Sequence, residues 1–164
     1  NRTLEAIVAE TLAGAEKVAF IDWHTGIGDY GKPFFLCFND PAGPLFARAC
    51  DWWGKDNVDG VRPHGMARPN YTGLVFQGVQ RFLGNRDMCG AVIEFGTRGV
   101  NMRRVLRLDQ WLRRHHHGLD PDVLATLQAD MMDAFCPFDG QWRKYTLDYG
   151  LKLTDQALSG LSSW

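Results

Sequence analysis

The chain has 164 residues, 45% of them hydrophobic and 23% charged, with a formal net charge of −1. That length supports one globular domain with a substantial core. The balanced charge gives no general attraction to nucleic acid or to an anionic membrane, and no apolar run reaches the roughly 18–20 residues that a transmembrane helix requires.

Taken in order, Asn1 to Gly14 reads as an amphipathic helix, with Leu4, Ile7, Val8 and Leu12 on one stripe and Glu5 and Glu10 turned outward. An α/β domain would more naturally place a strand ahead of this helix, so the opening is expected to be the middle of something larger. The N-terminus shows no signal-peptide pattern. Next comes the apolar stretch Ala19-Phe20-Ile21-Asp22-Trp23-His24, a predicted strand that ends on the histidine. Side chains alternate across a strand, so Phe20, Asp22 and His24 share one face. Gly26-Ile27-Gly28-Asp29-Tyr30-Gly31-Lys32-Pro33 then reads as a glycine-rich turn able to approach a ligand.

Phe34 to Phe38 is a short buried strand, closed by Asn39-Asp40-Pro41-Ala42-Gly43-Pro44. Leu45 to Trp53 is predicted helical. From Gly54 to Asn70 periodicity vanishes, and this stretch, carrying Arg62, His64 and Arg68, reads as a loop too long to be a plain connector. Leu74, Val75, Val79, Phe82 and Leu83 restore helical spacing. Met88-Cys89-Gly90-Ala91-Val92-Ile93-Glu94-Phe95 is a nearly continuous apolar run, the pattern of a strand buried on both faces. Its one charge, Glu94, falls at the carboxyl end. Ligands in open α/β sheets bind at the carboxyl ends of strands, so His24 and Glu94 are expected to meet on one rim.

Helices follow over Asn101–His117, over the segment capped by Asp120-Pro121, and from Trp142 to about Leu161, where Gly150 argues against continuity. The arginines Arg98, Arg103, Arg104, Arg107, Arg113 and Arg114 alternate with Asp109 and an apolar stripe. They read as a solvated helix face, so no nucleic-acid partner and no membrane partner is expected. His115, His116 and His117 fit a helix C-terminus favoured by the macrodipole. Cys37, Cys50, Cys89 and Cys136 are widely spaced without a CxxC pair, as expected of core thiols in a reducing bacterial cytoplasm. There is no internal repeat or low-complexity linker, and a single domain over residues 1–164 with a helical C-terminal part is the expected organisation.

At His24-Thr25-Gly26-Ile27-Gly28 and Glu94-Phe95-Gly96-Thr97 the chain resembles the zinc carboxypeptidase superfamily. It is most similar to an uncharacterised bacterial branch with these two motifs in this order, over roughly Val18 to Trp111. The resemblance implies a three-layer α/β/α fold around a mixed sheet, incomplete here. It implies one zinc, with His24 matching the last of three ligands and Glu94 the general base on a zinc-bound water. Tyr71 lies where the family's substrate-contacting tyrosine falls, and a carboxylate-clamping arginine is expected among Arg62, Arg68 and Arg98. Asp22, two residues before His24, is placed to orient the imidazole.

The expected substrate is a small peptide or an N-acyl amino acid, the superfamily containing both peptidases and deacylases. The other function class open at this point is a non-catalytic binding domain that has lost the metal. The family's first two ligands, His-x-x-Glu, have no counterpart here, because no histidine precedes His24. His64-Gly65-Met66-Ala67 lacks the glutamate. The chain is therefore expected to be the C-terminal portion of a larger protein, without activity by itself and prone to self-association.

Overall fold

The computed structural model describes residues 2–58, 72–115 and 118–164. It is an α/β structure with the elements α1 (Arg2–Thr11), β1 (Lys17–Tyr30), β2 (Pro33–Leu36), α2 (Pro44–Trp53), α3 (Lys55–Val58), α4 (Val75–Leu83), β3 (Asp87–Gly96), α5 (Val100–His115), α6 (Pro121–Phe135) and α7 (Gly140–Ser162). The strand order is β1-β3-β2. Gly90 lies against Phe20 and Gly96 against Gly28, so β1 and β3 advance in the same direction. Gly96 N donates to Lys32 O (3.2 Å) and Asn39 Nδ2 to Met88 O (2.9 Å), so β2 runs against β3 and the sheet is mixed.

β3 is central because its sequence can be buried on both faces. Met88, Cys89, Ala91 and Ile93 have no exposed surface. Neighbouring side chains point to opposite faces, and here they meet different helices. Met88 joins Val8 of α1 and Phe76, Val79 and Leu83 of α4 in one apolar cluster, whereas Cys89 Sγ reaches Leu45 O of α2 at 3.3 Å. Burial pushes the Cys89 thiol up to about 12, so it behaves as a small apolar side chain. No disulfide joins the four cysteines.

The strand expected to stop at His24 continues six residues further, to Tyr30. The glycines explain the extension. Gly96 of β3 packs so closely on Gly28 and Asp29 O that a Cβ on Gly96 would overlap the β1 backbone. Glycine here permits close strand approach, not a turn. The turn proper is confined to Gly31-Lys32, where Gly31 N donates to Gly96 O (2.9 Å) and Lys32 N to Asp29 O (2.9 Å). Helix α1 is shorter than expected, ending at Thr11. Helix α7 runs unbroken through Gly150, because Trp142, Leu153 and Ala157 bury one face and tertiary packing outweighs the glycine's propensity.

Two compact units are distinguished: Asn1–Trp23, Phe35–Ile93 and Leu151–Trp164 form the first, and His24–Phe34 with Glu94–Gly150 the second. In the first, Phe20 meets Phe76 edge-on at 5.4 Å, and Trp53 Nε1 donates to Leu153 O at 3.0 Å. Burying an aromatic ring of this kind contributes roughly 1.5–3 kcal/mol. In the second, α5 packs on α6, and Trp142 Nε1 donates to Gly96 O at 2.8 Å. Asp120 caps α6, accepting from Asp122 N at 2.9 Å ahead of Pro121.

Candidate functional site

The second unit brings together the two residues on which the sequence reading turns. β1 and β3 are neighbours, and His24 Nδ1 stands 3.7 Å from Glu94 Oε1. The histidine is about half exposed (48%), while the Glu94 side chain keeps only 9% of its surface. A carboxylate with so little access to water needs hydrogen-bond donors. Ile27 N supplies one, donating to Glu94 Oε2 at 3.3 Å. One carboxylate oxygen is thus held by the backbone and the other faces the imidazole. The 3.7 Å separation is too long for a good direct hydrogen bond.

The surroundings are small and tightly fitted. Gly26 has φ of +138°, a conformation that other residues rarely adopt. A Cβ there would lie 3.2 Å from Met102 Sδ and 3.9 Å from Glu94 Oε2. Met102 comes from α5, and Thr97, itself buried, points its hydroxyl at the same sulfur (3.9 Å).

Arg98, a candidate for binding a substrate carboxylate, is engaged within the chain. Its Nε lies 2.5 Å from Asp133 Oδ2, its Nη2 donates to Asp133 Oδ1 at 3.2 Å, and its guanidinium sits 5.9 Å from the Tyr30 ring. A substrate carboxylate at Arg98 would have to displace Asp133. The Arg98 hydrogen bond, with Phe138 N as a second donor, holds the Asp133 carboxyl below its ordinary value. Tyr30 Oη donates to Asp139 Oδ2 at 2.8 Å, which lowers Asp139; limited desolvation and the same bond raise the Tyr30 phenol.

Asp22 lies two residues upstream of His24 in β1 and belongs to the first unit. Tyr71, Arg62, Arg68 and His64 fall outside the described residues, as do His116 and His117. The sequence reading missed the Ile27 amide, Met102 and Thr97 as parts of the site. Thr97 stood in the Glu-Phe-Gly-Thr motif and could have been noted. The backbone amide left no signal, since any residue there would supply it.

A catalytic zinc takes three protein ligands and keeps one position for water. Among the described residues no group of three or more His, Cys, Asp or Glu side chains could hold a metal ion. His24 with Glu94 alone therefore does not fit a complete zinc site.

No curated protein and no solved structure matches the chain. A family model, described as a protein of unknown function (DUF2817), matches residues 1–149. That match takes in both strands of the His24–Glu94 pair and most of the helices that follow. The chain belongs to the DUF2817 family.

Proposed function

We propose that His24 and Glu94 are the base-bearing half of a hydrolytic centre for amide bonds, of the zinc-carboxypeptidase kind, acting on a small peptide or an N-acyl amino acid. The observation that carries this reading is the 3.7 Å approach of Nδ1 to Oε1 while Oε2 is held by the Ile27 amide. Support also comes from the likeness of the His-Thr-Gly and Glu-Phe-Gly-Thr motifs to that superfamily.

Glu94 is suited to a base. Its Oε1, on the imidazole side, is the oxygen that would meet a substrate water, and its Oε2, bound by the Ile27 amide, fixes the carboxylate plane. Taking a proton from that water leaves a hydroxide to attack the amide carbonyl. The same carboxyl then returns the proton to the leaving nitrogen. His24, more exposed and on the adjacent strand, is the side chain that would donate to a metal. Two further ligands would have to come from outside the described residues, and the base chemistry of Glu94 stands without them. Arg98 enters this reading as the carboxylate-binding group only if substrate exchanges with Asp133. The compartment that suits the thiols is the cytoplasm.

Hydrolysis of a panel of short peptides and N-acyl amino acids with added zinc, by this chain and by any longer protein that carries it, tests the proposal. Glu94→Gln is expected to lower kcat by roughly 10²–10⁴-fold with KM little changed. An active protein whose turnover survives that substitution would remove the reading. This chain by itself is expected to bind zinc well below one ion per molecule in metal analysis. Stoichiometric zinc would instead place the missing ligands within residues 59–71 or 116–117.

A further inference from the structure

Helices α5 and α6 pack on each other within the second unit, and they leave a cleft of about 240 Å³. Arg98, just ahead of α5, lines it with Arg104 and Val105 of α5 and with Asp130, Asp133 and Ala134 of α6. None of these six residues belongs to the His24–Glu94 site. The four charges are not equivalent. Arg98 and Asp133 satisfy each other, and Asp133 takes a further hydrogen bond from Phe138 N, so this pair forms a neutral wall. Arg104 and Asp130 are both exposed, and neither forms an ion pair with the other or with any other described residue. Two opposite charges therefore face one small space without cancelling each other. The rest of the lining is apolar, Ala134 being buried and Val105 half-buried.

That combination selects among ligands. A simple anion would be drawn to Arg104 and repelled by Asp130, and a simple cation the reverse. A molecule with one charge of each sign gains at both. The planar guanidinium of Arg104 offers the fork that suits a carboxylate, and the Asp130 carboxylate accepts from an ammonium. The volume falls below the roughly 300–1,000 Å³ of pockets that hold drug-sized molecules, which limits the ligand to about the size of one amino acid. Val105 and Ala134 favour a short aliphatic side chain.

We infer that the cleft between α5 and α6 binds a free aliphatic α-amino acid, its carboxylate on Arg104, its ammonium on Asp130 and its side chain against Val105 and Ala134. The inference is independent of the hydrolytic reading, since this binding requires neither His24 nor Glu94.

Titration of the chain with L-valine, followed through the methyl NMR signals of Val105 and Ala134, tests this. Valine should shift both signals saturably, with half-saturation at about 1 mM or below. Isovalerate, which lacks the ammonium, and isobutylamine, which lacks the carboxylate, should each bind about tenfold more weakly or worse, because each gives up one charge-assisted contact. None of these probes contains an amide bond, so hydrolysis does not enter the result. Arg104→Gln and Asp130→Asn lie at exposed positions, where substitution leaves the fold intact. Each should weaken valine by about tenfold. Arg104→Gln should also cease to distinguish valine from isobutylamine, and Asp130→Asn valine from isovalerate. Signals unmoved by about 20 mM valine would overturn the inference. So would singly charged probes that bind as tightly as valine, or variants that bind valine as the wild-type chain does.

Discussion

Two residues of β3, two positions apart, meet opposite requirements. Glu94 brings a charge into an almost closed space and is held there by an amide of the next strand. Gly96 brings no side chain at all, because Gly28 and Asp29 O occupy the place where one would stand. Gly96→Ala is therefore expected to destabilise the fold by on the order of 3 kcal/mol, the upper part of the range for overpacking, since backbone cannot yield as a side-chain end can. Chemical denaturation measures it, and a loss under about 0.5 kcal/mol would show that β1 and β3 separate easily. Glu94 was legible in the sequence as the only charge in an apolar run. The need for Gly96 was not, because close approach is a property of two strands and the sequence shows one at a time.

Among the elements, β3 and β1 show what pattern can and cannot deliver. The apolar run of β3 announced a central strand, and the structure buries it on both faces. β1 kept its strand past His24 through residues whose composition says turn. Glycine is ambiguous in that way, since it serves both sharp bends and tight packing. The end of β1 and the loop after β3 are tied to the helices by Tyr30–Asp139 and Arg98–Asp133. Both carboxyls lie below their ordinary value of 3.8, so their contribution to stability is complete above that pH and is lost as pH falls through the folded values. Asp133→Asn is expected to flatten the acid limb of a plot of melting temperature against pH, below about pH 4, and to leave the neutral region with a constant offset. An acid limb identical to wild type would mean that this fork contributes nothing. The exposure of both partners keeps the magnitude small.

Over the whole molecule, the division into two units cuts β1, β2, β3 and α7, and no single break in the chain releases either one. Each unit thus depends on strands and a helix that it shares covalently with the other. Unfolding is expected to be one cooperative transition, with tryptophan fluorescence and helical signal changing together in a denaturant titration. Two separated transitions would show that the units are independently stable. At this scale the sequence conveyed the order of the longer elements, each with its own period, but read Lys55–Val58 as loop, because the four residues of α3 are too few to show a period. It conveyed nothing of how the chain is shared between units, which depends on contacts between residues such as Trp53 and Leu153, a hundred positions apart.

Asn39 carries a consequence of a different kind. Beyond the end of β2 its side-chain amide takes the place of a peptide group, with Nδ2 donating to Met88 O (2.9 Å) and Oδ1 accepting from Gly90 N (3.2 Å). Those two bonds need one donor and one acceptor in fixed positions. Spontaneous deamidation would replace the donor by a second acceptor and set a carboxylate against the Met88 carbonyl. The resulting aspartate would be nearly the same shape and would still unzip the edge of the sheet. The burial of Asn39, 8% exposed, is what protects an ageing molecule from that lesion.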